Sequence, residues 1–347
     1  MSAALGVSLV GAGAIGALRA AAVARTPGLA LVAVADARPE AAQALAQRFG
    51  GLATTDGLQA ATDPRAGLVV VSTPPDRHAE FALAAIDAGK HVLCEKPLAH
   101  TVEDAARICE AAEARGVLVK TGFNHRYFPA VDFARRLIDA GTLGEIRGVR
   151  AYAGHPGGEE LGHPWVCDPA VTGGGSLVDN GIHILDLARF FLGEVNRAQG
   201  CVGQLAWSFD GAEDNGFALF RSASGGIASV HASWTEWRGY RFWVEAVGER
   251  GYVRASYPPM LAEWGAVAVK GSRARRRFKL FPAFQVRERL HGWQWTVLCT
   301  FVQEMSDLAA GIRAGRSVPA TGRDGLRALE MARAVYRSSR EGREVEL

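Results

Sequence analysis

Val7–Ser8–Leu9–Val10–Gly11–Ala12–Gly13–Ala14–Ile15–Gly16 is the stretch that decides the fold. A short apolar run ends in G-x-G-x-x-G and opens directly into a helical pattern. That order is what a dinucleotide cradle needs. Gly11 permits the tight turn, Gly13 lets backbone approach a pyrophosphate, and Gly16 lets helix and strand pack closely. The N–H groups of Ala14, Ile15 and Gly16 point outward from the helix start, where free donors and a positive dipole hold an anion. Asp36 follows Gly16 by twenty positions at the end of the next apolar run. A carboxylate there accepts hydrogen bonds from the ribose hydroxyls of NAD and repels the 2′-phosphate of NADP. NAD is therefore the expected cofactor, with Arg38 the nearby charge able to soften that preference.

Outward from this start, apolar runs at Val7–Val10, Leu29–Ala35, Leu68–Ser72, His91–Cys94 and Val117–Val119 alternate with helical stretches near 14–25, 39–49, 76–88 and 101–115. Buried runs separated by helices predict an α/β fold, a doubly wound parallel sheet over residues 1–121. Beyond Gly122 the texture changes. A helix near 129–140 and a strand near 145–153 precede a Gly/Pro-rich loop from 154 to 175. An apolar helix over 176–192 follows, then strand-like runs from 196 to about 281 and helices near 291–314 and 323–339. This predicts a second, α+β domain over 122–347 on an open, antiparallel-rich sheet, with the closing helices able to pack back on the first domain.

The chain has 347 residues, enough for two packed domains. Its net charge of +3 sets up no field that would favour nucleic acid or a membrane surface. No apolar run nears the roughly 18 residues that span a bilayer. Met1–Gly6 carries no basic leader, and the five cysteines lack C-x-x-C spacing. A cytoplasmic protein with reduced thiols, neither disulfide-stapled nor metal-binding, is expected. Of 39 basic residues only five are lysine, the remaining 34 arginine. In such a chain a lysine at a strand's carboxyl end signals a need for a slim amine.

Lys96 is that lysine, in Cys94–Glu95–Lys96–Pro97. Carboxyl ends of parallel strands line the cofactor crevice. Ser72, Thr73 and Pro74 are expected there on the nicotinamide side, with His78 in the following helix turn and Glu95 beside Lys96. The Lys96 ammonium is expected to hold a substrate oxygen and favour its alkoxide form. The second half of the site follows Gly173–Gly174–Gly175, which would let the chain pass close to a ligand. There Asp179, Asn180, His183 and Asp186 form one polar stripe on an otherwise apolar helix. A capping role for His78 and a structural ion pair for Glu95 are the plain alternatives in the first half. His183 is expected to act as general base or acid, Asp179 to orient it or bind a neighbouring hydroxyl, and Asn180 to face substrate. An Asp–His pair satisfied in the core is the plain alternative. The scheme requires the Lys96 amine and the His183 imidazole to meet on one oxygen.

These motifs together resemble the glucose–fructose oxidoreductase/inositol dehydrogenase/rhizopine-catabolism (Gfo/Idh/MocA) family over essentially the whole chain. The likeness rests on Gly11–Gly16, on Ala88 through Pro97, on Asn124–His125–Arg126–Tyr127, on Gly174 through His183, and on Ala328–Leu329–Glu330 with Tyr336–Arg337–Ser338. It implies a Rossmann domain and a substrate-holding sheet domain that assembles dimers or tetramers. It places the family's catalytic lysine on Lys96 and its aspartate and histidine on Asp179 and His183. Pro75 departs from the Asn that many relatives carry, which weakens any carry-over to His78. Substrate contacts from the loop before the helix are expected at His155, His163 and Trp165, with Asn124 and Arg126 nearby; packing within an ordered loop is the equal alternative for the two histidines and the tryptophan.

The function expected is hydride transfer between NAD and a CH–OH group of a sugar, polyol or cyclitol. Two other classes remain at the level of sequence. One is a lyase or glycosidase working through a transient keto-sugar; the other is a non-catalytic NAD sensor. The basic run Arg273–Lys279 reads first as a solvated hairpin and second as a lid or subunit contact for an acidic substrate.

Overall fold

The computed structural model describes residues 4–158, 164–269 and 271–347. The chain divides into two compact units, one of residues 1–124 with 288–326 and the other of 125–287 with 327–347.

The first unit is a six-stranded, all-parallel sheet. Its strands are β1 (Leu5–Val10), β2 (Leu29–Ala35), β3 (Leu52–Thr54), β4 (Leu68–Val71), β5 (His91–Cys94) and β6 (Val119–Thr121), in the spatial order β3-β2-β1-β4-β5-β6. The connecting helices are α1 (Ala14–Arg25), α2 (Pro39–Phe49), α3 (Gly57–Ala61), α4 (His78–Asp87) and α5 (Val102–Arg115). The order reverses between β1 and β4, the switch point where such sheets take their ligands. Every residue of β4 is buried, as a central strand covered on both faces must be. Val7, Leu9, Leu31, Val34, Leu68, Val70 and Leu93 form the core of one face with Ala20 and Val23 of α1.

The second unit is a nine-stranded mixed sheet backed by helices. It begins with α6 (Pro129–Asp139) and β7 (Ile146–Gly154), followed by α7 (Pro169–Thr172), α8 (Ser176–Asp179) and α9 (Gly181–Leu192). Strands β8 (Val195–Gly203), β9 (Asn215–Ser222), β10 (Ile227–Ser233), β11 (Arg241–Gly248), β12 (Gly251–Tyr257), β13 (Leu261–Ala266) and β14 (Arg277–Leu280) follow, and β15 (Val345–Glu346) closes the far edge. The order is β14-β13-β12-β11-β7-β10-β9-β8-β15, antiparallel except for β7 beside β10. In β9 and β10 alternate residues are buried, so one face meets α9 and the other faces outward.

Three helices end the chain: α10 (Pro282–His291), α11 (Trp293–Ala314) and α12 (Gly322–Glu341). Phe301, Met305 and Leu308 of α11 join the core of the first unit. Helix α10 buries none of its residues.

Candidate active site

The glycine loop takes the shape its sequence asks for. Gly11 has φ +99°, and a side chain there would strike the Ser72 carbonyl. At Gly16 a Cβ would lie 2.0 Å from the Gly11 carbonyl oxygen, so only glycine lets α1 leave β1 at this angle. Around Gly13 nothing lies within 4 Å of where a Cβ would stand. That space, in front of a helix start with no side-chain cap, fits a pyrophosphate.

Asp36 is tied into the loop: its Oδ2 accepts the Ala12 N–H at 2.7 Å and its Oδ1 the Arg38 N–H at 2.9 Å. Burial alone would raise its pKa, but these backbone donors and the Arg38 guanidinium outweigh it and hold the carboxyl below its ordinary value. The group stays ionised, its position fixed relative to Gly11–Gly13. The Arg38 side chain is largely exposed and pairs with Asp36 at 3.2 Å. At the end of β4 the hydroxyls of Ser72 and Thr73 are buried and meet no hydrogen-bond partner among the described residues. Buried polar atoms left so are expected to be satisfied by a ligand. Glycine cradle, ribose carboxylate and waiting hydroxyls together fit a bound NAD.

His78 opens α4. Its ring is fully buried, and its two nitrogens each lie 2.8 Å from a backbone carbonyl, Nδ1 from Pro97 and Nε2 from Thr73. Burial pushes its pKa below the usual histidine range. The ring bridges the Thr73 turn and the Lys96–Pro97 turn, two of the turns expected beside the nicotinamide.

Glu95 is likewise committed elsewhere. It grips the fully buried Arg19 of α1 at 2.5 Å, and Arg19 also pairs with Glu304 of α11 at 2.5 Å while lying 3.6 Å over the Phe301 ring. Lys120 of β6, equally buried, stands 3.9 Å from Glu304. Burial opposes the charge on Arg19, yet the two glutamates prevail and hold its pKa above normal. The second Glu95 oxygen accepts the Lys96 N–H at 3.3 Å. Glu95 thus anchors the turn that carries Lys96, which is half-buried.

In the second unit the polar stripe, which spans the junction of α8 and α9 at Asn180, resolves into separate partners. Asp179 Oδ2 accepts the Trp234 Nε1–H at 3.2 Å, and His155 Nε2 approaches the same oxygen to 3.5 Å. His155 Nδ1 accepts the Gly157 N–H, so the neutral ring carries its proton on Nε2, toward Asp179. His155, expected to touch substrate, lies beside Asp179 and supports it. Asn180 donates to the Ser233 carbonyl at 3.3 Å, while its buried Oδ1 finds no partner among the described residues. His183, 7% exposed, stacks on His125.

Arg126 and the triple glycine are tied into the protein. Arg126 forms a two-pronged ion pair with Asp186 and lies over the Phe190 ring, which braces α9. The triple glycine serves protein contacts. A side chain on Gly174 would strike the Tyr336 hydroxyl, and one on Gly175 the Glu213 backbone. Glu213 accepts the N–H groups of Gly175 and Leu177, both at 2.8 Å, and so caps α8; burial raises its pKa.

Asn124 donates to Thr300 Oγ1 at 3.1 Å, within the first unit. Trp165 is 37% exposed in a short helical turn, Pro164–Cys167. His163 lies outside the described residues. Sequence reasoning gave no role to Trp234 or to His125. The first carries no signal beyond its place after an apolar run; the second stands inside the Asn124–Tyr127 motif.

A doubly wound parallel sheet with this cradle defines a dinucleotide-binding protein. Residues 5–123 match the model of the oxidoreductase family with an NAD-binding Rossmann fold, and residues 131–254 that of the GFO/IDH/MocA C-terminal domain. The inositol 2-dehydrogenase of Rhizobium meliloti is 31% identical over 98% of either chain. Among solved structures, GenD2 from gentamicin A biosynthesis in complex with NAD is 30% identical with a TM-score of 0.83, covering 100% of this chain and 97% of that one. Levoglucosan dehydrogenase with NADH and levoglucosan is 26% identical with a TM-score of 0.87, covering 99% of both. The chain belongs to the Gfo/Idh/MocA family of NAD-dependent oxidoreductases.

Proposed function

We propose that this enzyme oxidises a ring CH–OH of a cyclitol, anhydrosugar or glycoside. The observation that carries the substrate class is its likeness, over nearly its full length, to an inositol dehydrogenase and to a levoglucosan dehydrogenase held with its sugar. The cofactor would be held by Gly11, Gly13, Ala14, Ile15 and Gly16 at the pyrophosphate, by Asp36 at the ribose, and by Ser72, Thr73 and Pro74 beyond. NAD supplies the acceptor for the hydride.

The chain's own residues do the rest. Lys96 holds the reacting oxygen and steadies its negative charge. His183 takes the hydroxyl proton, a contribution worth about 10²–10⁴-fold. Asp179, fixed by Trp234 and His155, accepts a hydrogen bond from a neighbouring hydroxyl, and the Asn180 Oδ1 accepts another. Ring substrates with adjacent hydroxyls satisfy both acceptors; a simple alcohol does not.

The names of these relatives favour net oxidation over elimination through a transient ketone. NADH formation measured across inositols, anhydrosugars, glycosides and simple alcohols tests both points. Stoichiometric NADH with cyclic polyols supports the assignment. Turnover without added NAD, or a preference for simple alcohols, sinks it.

Assembly as a homodimer or homotetramer is part of the proposal, and its support is the outward face of the second sheet. One row of cross-strand neighbours there reads Phe217, His231, Tyr152, Trp243. The adjacent row alternates Arg150, Glu245, Arg254, Glu263. Phe217, Leu219 and Ile227 are each more than 40% exposed, an apolar patch unusual for a monomer. A cytoplasmic location is proposed as well: no helix among the described residues is long and apolar enough to cross a membrane.

A further inference from the structure

The imidazole of His183 lies face to face with that of His125, ring centroids 3.9 Å apart and planes 25° from parallel. His125 sits on the short helical turn Asn124–Tyr127, and its own ring is held on several sides. Its Nε2 lies 2.6 Å from the Tyr240 hydroxyl. Phe242 and Phe128 close around it at 4.7 and 5.1 Å. Tyr240 is half-buried, and the desolvation of its phenol raises its pKa above that of an ordinary phenol. Its hydroxyl therefore remains protonated, a hydrogen-bonding partner that carries no charge.

A histidine base works through one lone pair lying in the plane of its ring. The torsion that sets this plane is broad and has no sharp minimum of its own. Neighbours must fix it. On the helix alone, His183 could swing its nitrogen well off the line to a hydroxyl, and a misplacement of about 1 Å costs roughly 10²-fold in rate. A flat ring at van der Waals distance restrains that swing. The restraint is useful only if the second ring is itself fixed, which the Tyr240 hydroxyl and the two phenyl rings accomplish.

We propose that His125 is a positioning residue for His183, a stacked shelf pinned by Tyr240 that sets the plane in which the base presents its nitrogen to substrate. Its premise is the assignment of His183 as the base. Phenylalanine at position 125 would supply the flat face without the pin; alanine would supply neither.

The test uses the full-length enzyme and the best substrate from the panel above. His125→Ala is expected to lower kcat by about 10²-fold, leaving the KM for NAD unchanged. It should also raise the deuterium isotope effect at the carbinol carbon. His125→Phe is expected to recover most of the lost kcat, and Tyr240→Phe to lose part of it. A shelf that merely stabilised the fold would lower the melting temperature without moving the isotope effect.

Unchanged kcat in folded His125→Ala, or a His125→Phe no better than alanine, overturns the proposal. Should the alanine variant not fold, an unchanged kcat in Tyr240→Phe overturns the pin on its own. His183→Asn separates the two ideas. Full activity there removes the base assignment itself, whereas loss of activity there beside a silent His125→Ala removes only the shelf.

Discussion

Lys96 and Asp36 are the residues whose roles can be tested apart from the rest. Lys96→Ala should lose about 10²–10⁴-fold in kcat while NADH binding, followed by fluorescence titration, keeps its Kd. Equal loss of both would make the lysine structural. Asp36 carries a fixed negative charge against the glycine loop. Repulsion of a 2′-phosphate by such a partly screened charge is worth about 1–4 kcal/mol. Asp36→Ala should therefore raise the KM for NAD and move the NAD/NADP ratio of kcat/KM toward NADP by about tenfold or more. A ratio unmoved by the change would mean that selectivity lies elsewhere. At this scale the conformation of the glycine loop and the place of Asp36 beside it were legible, because each follows from local backbone. The protein partners of His78, Arg126 and His155, which stand 19, 60 and 24 positions away, were not. No spacing rule reports which distant carbonyl or carboxylate a side chain will meet.

Among elements, those that alternate cleanly or bury one face were legible. The expected helices over 14–25 and 39–49 are α1 and α2, and the strand expected near 145–153 is β7. Elements with little burial were not. β3 is largely exposed, α3 is five residues long, and α10 buries nothing, so none imprints a hydrophobic period.

Where α1, β5, β6 and α11 meet, Arg19, Lys120, Glu95 and Glu304 form a charge-balanced quartet. Removing one member leaves a buried charge unmatched. Arg19→Met should cost about 3–5 kcal/mol of stability, read by denaturant unfolding, and an unchanged midpoint would show that the quartet relaxes freely. On the second sheet His231 of β10 lies under Phe217 at 3.8 Å with its Nε2 bonded to Asn215. Burial lowers its pKa to about 4. The unfolded chain then binds the extra proton first, so stability is complete above the ordinary histidine pKa of about 6.5 and falls as pH drops toward 4. His231→Gln should flatten the melting temperature between those values. A slope identical to the parent's would assign the acid sensitivity to other groups.

For the whole molecule, the outward sheet face is the feature with the largest consequence. Phe217→Glu with Leu219→Glu places two charges in its apolar centre and should yield monomers by light scattering coupled to gel filtration. An assembly unaffected by both changes would exclude this face. The basic run finds its simpler explanation in part: Arg276 pairs with Glu263, and Arg277 lies over Trp264 on the neighbouring strand.

The nucleotide-binding unit is closed by a segment, residues 288–326, that follows the rest of it only after residues 125–287, bringing Phe301 and Met305 to its core and Glu304 to Arg19. Anyone transplanting this cofactor module into another enzyme must therefore carry two separate pieces of gene. The front piece alone would present bare apolar surface and a guanidinium stripped of half its counter-charge, a recipe for aggregation instead of a portable part.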